Sequence, residues 1–209
     1  MALATALAHP LIARLETALA ERAAKHPLAE PDDPQTRWAA VALLLRVTES
    51  ADVELLLIKR AAFEGDPWSG HIALPGGRAE PEDANLLATA IRETREETAI
   101  DLTRDARVLG ALDPVRPRTP SLAAIAVAPF VAVLGDAPRL VLSSEVADAF
   151  WVPLIRLQDP ASSRDVWIEP ASGRRRVSSF QHGGHTIWGL TERILRQALE
   201  IVAARGAKS

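Results

Sequence analysis

The chain has 209 residues, 48% of them hydrophobic and 24% charged, with a net charge of −3 and an isoelectric point near 6.0. That length supports one domain with a sizeable core, and the acidic balance argues against a nucleic-acid binder that works through a broad basic surface. With no cysteine in the chain, disulfides, thiolate metal sites and a cysteine nucleophile are excluded, and the composition fits a reducing cytoplasm.

The start, "MALATALAHPLIARLETALAERAAKH", lacks a basic leading segment and carries Glu16 and Glu21 soon after its apolar residues. It reads as an amphipathic helix rather than a signal peptide, docked on the domain or on a second copy. Together with the apolar final helix it leaves a homodimer open. No uncharged apolar run approaches the roughly 18 residues of a membrane span, so no membrane partner is expected. "HPLAEPDDPQT" (26–36) then ends the helix and links to the domain. Residues 1–36 are thus a helix and linker, and 37–205 form the main domain.

"RWAAVALLLRV" and "VELLLIKR" are short apolar runs around the polar "TESAD", a pattern that predicts a hairpin. "HIALPGG" is a further short strand entering a glycine turn. Pro81 and the acids around it mark a helix start, and Leu87, Ala90, Ile91 and Thr94 recur at the spacing of one buried face. "RVLGALDPV", "SLAAIAVAPFVAVL" and "RLVLS" read as strands, and "EVADAFWVPLIRL" as a short turn of helix feeding another strand. "WGLTERILRQALEIVAARG" is an amphipathic helix that closes the chain. Strands and helices mix without regular alternation, which predicts an α/β protein of the α+β type, a mixed sheet between helices.

The chemistry concentrates in "ALPGGRAEPEDANLLATAIRETREETAID". At about 100° per residue, Glu96 lies near −60° and Glu97 near +40° from Glu93. The three carboxylates share a roughly 100° arc, placed opposite the stripe through Leu87, Ile91 and Thr94. In solvent each like-charge pair costs only about 0.2–0.5 kcal/mol. In a partly dry cleft a pair about 5 Å apart costs roughly 3 kcal/mol at an effective dielectric near 20. A divalent cation turns that repulsion into binding, and hard oxygen ligands suit Mg2+ or Mn2+. Gly76-Gly77 lets the backbone bend sharply beside the helix. Arg92, four residues before Glu96, is placed to hold that carboxylate.

These residues resemble the signature of the Nudix hydrolases. Gly77, Asp83, Arg92-Glu93, Thr94, Glu96-Glu97, Ala99 and Ile100 follow the family box. Asp83 stands where glutamate is usual, the spacer from it to Arg92 is one residue longer, and Ala99 replaces a glycine. A left-handed C′ position costs alanine about 1–2 kcal/mol, so the helix is expected to end differently. The long spacer, "LLIKRA" and "SGHIALPGG" are similar to the coenzyme A pyrophosphatase branch. Arg60 and Gly70 correspond, whereas His71 and Leu74 replace glutamine and phenylalanine. Glu64 or Gly65 stands where that branch carries a second arginine.

The resemblance covers residues 37 to 200. It implies a Nudix fold and a pyrophosphohydrolase of a small nucleoside-diphosphate-X substrate, with coenzyme A or a derivative first. ADP-ribose, a dinucleoside polyphosphate, or a nucleotide sensor without turnover are the alternatives. The implied metal ligands are Glu93, Glu96, Glu97 and the Gly77 carbonyl. Glu93 and Glu96 are candidate bases beside Arg92, with Glu145 a loop alternative. Arg60, His71, Gly76 and Arg116 are the substrate-binding candidates, and Arg118 a surface arginine or a further phosphate contact. Trp68 and Trp151 are read as core or as base-stacking groups, and "QHGGHT" and "SGRRRVSS" as turns.

Overall fold

In the computed structural model, residues 2–25, 36–63, 68–118, 124–136, 139–169 and 173–204 are described. Residues 26–35 of the linker, the Glu64–Gly65 position and the extreme C-terminus lie outside them. The leading segment forms α1 (Leu3–Leu7) and α2 (Pro10–Lys25), broken at His9–Pro10. Pro10 at the first helical position has no amide to lose there. The hairpin is present as β1 (Arg37–Val47) and β2 (Val53–Arg60), antiparallel.

β1 and β2 share the rungs Leu45–Leu55 to Val47–Val53 and then part. The segment that follows fills the fork: β3 (Ile72–Ala73) pairs with β2 and β4 (Gly76–Arg78) with β1. Ala42 N donates to Pro75 O at 2.8 Å across the join. The double-glycine corner is therefore held in the middle of a sheet.

Next come α3 (Leu86–Thr98), α4 (Leu102–Asp105), β5 (Ala106–Ala111), β6 (Ile125–Leu134) and β7 (Val146–Pro153). β6 is buried along its whole length and runs parallel to β1, while β5 and β7 pair antiparallel to β6 and β2. The result is a seven-stranded mixed sheet. After α5 (Leu154–Gln158), a separate three-stranded sheet of β8 (Ser163–Ile168), β9 (Arg175–His182) and β10 (His185–Trp188) leads into α6 (Leu190–Ala204).

Strand alternation decides what covers each face. Leu43, Leu45, Leu55 and Leu57 pack with Ile12, Leu15 and Leu19 of α2 and with Ile194, Leu195 and Ala198 of α6. Ala40, Ala42, Ala128 and Ala132 point to the other face, under α3 and α4. Alanine there lets α3 approach the sheet closely. The helix–sheet–helix layering matches the expected fold class.

Four local expectations change. α3 begins at Leu86 rather than at Pro81, because Asn85 Oδ1 caps it by accepting from Ala88 N at 2.9 Å. "RLVLS" joins no ladder. Instead Val141 N and Ser143 N donate to the carbonyls of Thr98 and Glu97, which the end of a helix leaves unsatisfied. "EVADAFWVPLIRL" runs strand first and helix second.

The last change concerns Ala99, which takes the left-handed conformation after all, at φ 62° and ψ 12°, with its N donating to Arg95 O at 2.9 Å. Ile100 and Leu102 are buried immediately after it, so the chain turns inward there despite the steric cost. Ala99→Gly relieves about 1–2 kcal/mol of strain and loses about 0.4–1 kcal/mol through the unfolded state. A net gain of about 0.5–1 kcal/mol in urea titration is expected. Unchanged or lower stability contradicts this account.

Candidate active site

The corner at Gly76–Gly77 meets α3 through two different glutamates. Gly76 N donates to Glu97 Oε2 at 2.9 Å. A Cβ built on Gly77 would fall 2.4 Å from the Glu93 carboxyl carbon. Only a glycine leaves room for that carboxylate against the backbone. Glu97 is not opposite the apolar stripe, as the helical wheel suggested. At 3% exposure it lies within the buried face, beside Ala90 and Thr94.

Burial raises the Glu97 pKa to about 7, the Glu93 and Glu145 charges add to this, and the Gly76 amide and Arg60 oppose it. Burial also raises the Glu93 pKa, against the pull of Arg92. Arg60 Nη1 stands 4.0 Å from Glu97 Oε1.

Arg92 organises the rest. Its Nη1 donates to Glu93 Oε1 at 3.0 Å and to Glu96 Oε2 at 3.3 Å. Its Nε and Nη2 grip Asp83 at 3.0 Å each, and Nη2 also reaches Arg78 O at 2.9 Å. Asp83 Oδ2 further accepts from Glu80 N and Thr89 Oγ1, both at 2.9 Å. The Arg92 contact holds the Asp83 carboxyl well below the usual carboxylate range, and Asp83 in turn raises the Arg92 pKa. Asp83 stood in the sequence as one position of the box. Its work as the anchor of Arg92 shows only once the 80–85 turn folds back on the helix.

The structure thus brings together Arg60, Gly76, Gly77, Arg92, Glu93, Glu96 and Glu97. Glu145 is exposed in the loop before β7, where its carbonyl accepts from Ala61 N at 2.8 Å, and its charge acts on both Glu93 and Glu97. His71 is the ladder neighbour of Arg60, whose N donates to His71 O at 3.0 Å, and its ring packs edge-on to Trp188 at 4.6 Å.

Arg116 is set apart: its Nη1 donates to Thr36 Oγ1 at 3.3 Å and its carbonyl accepts from Arg193. Trp151 lies under the Arg46 guanidinium at 4.0 Å, and Trp68 packs against the core. His182 and His185 stack on Phe150 across the Gly183–Gly184 turn. Arg175 and Arg176 lie inside β9, not in a turn, and Arg176 pairs with Asp165 at 3.0 Å.

The donor set fits a hard divalent ion in kind, being carboxylate and carbonyl oxygen around a cradle that a Cβ would fill. Among the described residues no three acids or histidines already converge on one point. Glu96, 54% exposed, is held at the rim of the site by Arg92.

Two glycine substitutions separate the roles of the corner. A Cβ on Gly76 would lie 2.3 Å from Ala40 O and 2.5 Å from Val41 Cα, at φ +146°. Backbone cannot yield there, and Gly76→Ala is expected to lose more than about 4 kcal/mol. Gly77→Ala meets only the movable end of Glu93. It should cost under about 1 kcal/mol yet lower turnover roughly a hundredfold, as misplaced reacting groups do. Thermal melts beside initial rates test the pair, and equal stability losses refute the distinction.

Residues 36–169 match the NUDIX domain. The Nudix hydrolase NudL of Photorhabdus laumondii is 35% identical over 164 residues, covering 77% of this chain and 83% of its own length. NudL of Cronobacter sakazakii is 35% identical over the same span, 81% of its own length. A Schizosaccharomyces pombe protein is 33% identical over 170 residues, and the match covers 72% of this chain but about half, 51%, of that relative. A MutT/nudix family protein from Enterococcus faecalis shares the fold with a TM-score of 0.58, at 21% identity, over 89% of this chain and 70% of its own. A domain match over most of the chain and relatives that share a third of its residues agree with the glutamate-lined glycine corner: the chain belongs to the Nudix hydrolases, enzymes that split pyrophosphate bonds.

Proposed function

We propose that this Nudix enzyme hydrolyses the pyrophosphate linkage of coenzyme A or a close derivative, with Mg2+ or Mn2+ held by Glu93, Glu96, Glu97 and the Gly77 carbonyl. The observation that carries the reading is the double approach of α3 to the corner, Glu97 on the Gly76 amide and Glu93 against Gly77. Arg60 supports the branch, because the arginine that the coenzyme A signature places before the loop stands 4.0 Å from Glu97. A bound divalent ion screens the phosphates and makes water more acidic.

The chain's own groups do the rest. Arg92 keeps Glu93 and Glu96 in fixed rotamers, so that one of them accepts the proton of the attacking water while the other stays charged. Glu145 is the acid that could take this task from the loop. Arg60, aimed at the corner, neutralises substrate charge. His71 and the Gly76 backbone border the same cleft, and Arg116 awaits a more distant part of the substrate. A small nucleotide is the partner of such a site.

His71 and Leu74, in place of the branch's glutamine and phenylalanine, favour ADP-ribose or a dinucleoside polyphosphate as the second reading. A substrate panel with Mg2+ and Mn2+, read by mass spectrometry, tests the choice. Coenzyme A should yield adenosine 3′,5′-bisphosphate and a phosphopantetheine. Turnover of ADP-ribose without turnover of coenzyme A rejects the first reading, and saturable binding without product rejects both.

A further inference from the structure

The β9–β10 hairpin and the start of α6 supply none of the ligands assigned above, yet they touch the strand that leads into the glycine corner. Gly183 and Gly184, at φ +55° and +82°, close the hairpin, and His182 and His185 pair across that turn. Both rings lie nearly parallel to Phe150 of β7, His185 at 4.4 Å and 10° and His182 at 6.4 Å and 13°. Phe180 and Ile187, paired further along the same ladder, enter the core. The hairpin is therefore seated at its tip and along its length before it reaches Trp188.

Trp188 ends β10, and Gly189 at φ +75° turns the chain into α6. Two side chains flanking that turn land on consecutive residues of the segment entering β3. Trp188 meets the His71 ring edge-on, at 4.6 Å and 60°. Thr191 Oγ1 donates to Ile72 O at 3.0 Å. His71 O in turn accepts from Arg60 N at 3.0 Å, and the Arg60 guanidinium stands 4.0 Å from Glu97. A continuous path of contacts thus runs from the indole, through the ring and carbonyl of His71, to the cation that faces the corner.

β3 is two residues long and pairs with β2 at two rungs. So short a ladder does not fix the ring of the residue that precedes it, which turns about its side-chain torsions unless something packs on it. Edge-on contact with an indole favours one orientation. The indole is itself held, by the β9 ladder on one side and by the Thr191 bond on the other.

We propose that Trp188 is a positioning residue for substrate binding: it fixes His71, and with it the Arg60 side of the cleft, so that the substrate diphosphate meets a preformed wall. This rests on the reading that Arg60 and His71 face the substrate, and not on which pyrophosphate compound is cleaved.

The test measures KM and kcat on the best-cleaved member of the pyrophosphate panel, in the wild type, Trp188→Leu, Trp188→Phe, His71→Ala and the double variant of Trp188→Leu with His71→Ala. Leucine keeps the position filled, so that the variant probes the ring and not the fold. Trp188→Leu should raise KM roughly tenfold and change kcat less than about threefold, as losses confined to binding do. Trp188→Phe restores an aromatic partner and should return KM to within about threefold of the wild type. In the double variant, KM should rise less than about twofold beyond that of His71→Ala, because the two side chains act through one contact. Full multiplication of the two single effects, a wild-type KM in Trp188→Leu, or a phenylalanine variant as impaired as the leucine one overturns the proposal. Mn2+ affinity, read by electron paramagnetic resonance, should be the same in the wild type and Trp188→Leu, and a loss there assigns Trp188 to the general integrity of the site and overturns its positioning role.

Two readouts need no turnover. The His71 ring protons should carry a ring-current shift in the wild type that Trp188→Leu abolishes, and equal shifts in both overturn the contact. Calorimetric affinity for ADP in Mg2+ should weaken in Trp188→Leu by the factor seen in KM, and unchanged affinity overturns the role. If these hold while coenzyme A is not cleaved, the substrate reading falls and the positioning role of Trp188 stands.

Discussion

Glu97→Gln should abolish metal-dependent turnover by at least about a hundredfold and, with divalent ions chelated, make the protein more stable at pH 8. The two effects come from one buried carboxylate. Its pKa is raised from 4.5 to about 7 in the folded chain, chiefly by burial. Between those values the folded state keeps a proton that the unfolded state has released, so stability falls as pH rises through the window. Above pH 7 the whole penalty is present, about 3 kcal/mol for a shift of this size.

Glutamine carries no charge, and its carbonyl can still accept from the Gly76 amide. The variant should therefore melt roughly 6–12 °C above the chelated wild type at pH 8 and match it near pH 4. Added Mg2+ or Mn2+ should raise the wild-type melting point and leave the variant where it was. Urea titrations at the two pH values in chelator decide it. A pH-independent difference would disprove the burial argument, and full activity in the variant would remove Glu97 from the site. At 3% exposure Glu97 is a core position, so its substitution acts on stability as well as on turnover.

Asp83→Ala should have the second-largest effect. It strips Arg92 of a two-pronged partner and leaves the Thr89 hydroxyl and the Glu80 amide without their acceptor. A charge-assisted bond of this kind is worth about 1.5–3 kcal/mol, and breaking a buried pair from one side costs more than the bond itself. We expect about 3 kcal/mol of lost stability and a ten- to hundredfold fall in turnover, since Glu93 and Glu96 lose the guanidinium that orients them.

The pH signature is opposite to that of Glu97. The Asp83 pKa is depressed in the folded protein, so its contribution is complete above the unfolded value near 3.8 and is lost as pH falls below it. Asp83→Asn should erase that acid-limb slope while keeping most of the packing. Wild-type-like acid unfolding in Asp83→Asn would show that the pair contributes nothing measurable.

Much of the site could be read from the chain because its parts are close in sequence. The corner, the arginine and the three glutamates span Gly76 to Glu97, and helical periodicity fixes the angles among them. Periodicity does not say which side of the arc meets the sheet. That depends on the alanines of β1 and β6, far away in the chain, and this is why Glu97 turned out buried. The start of α3 was misread because Pro81 and its acids imitate a helix entry, while the cap at Asn85 is a weaker signal in sequence. The Ala99 bend breaks a local rule, and the burial of Ile100 and Leu102 overrides it. "RLVLS" has a strand's composition, but nearby helix-end carbonyls claim its amides. Arg193 could not be linked to Arg116 from sequence, since only the docking of α6 brings them together.

β4 is three residues long, and it carries the attachment of the glycine corner to the rest of the molecule through β1 and the Gly76–Glu97 bond. So short an element can detach without the sheet melting, in a local opening that exposes little apolar surface. Amide exchange at Gly76 should then report the integrity of the centre separately from the deep strands β1 and β6. Heat should silence the enzyme while its helices and central ladder still give a native spectrum. Engineering for heat tolerance would gain most by bracing this narrow hinge, not by enlarging an already close-packed interior.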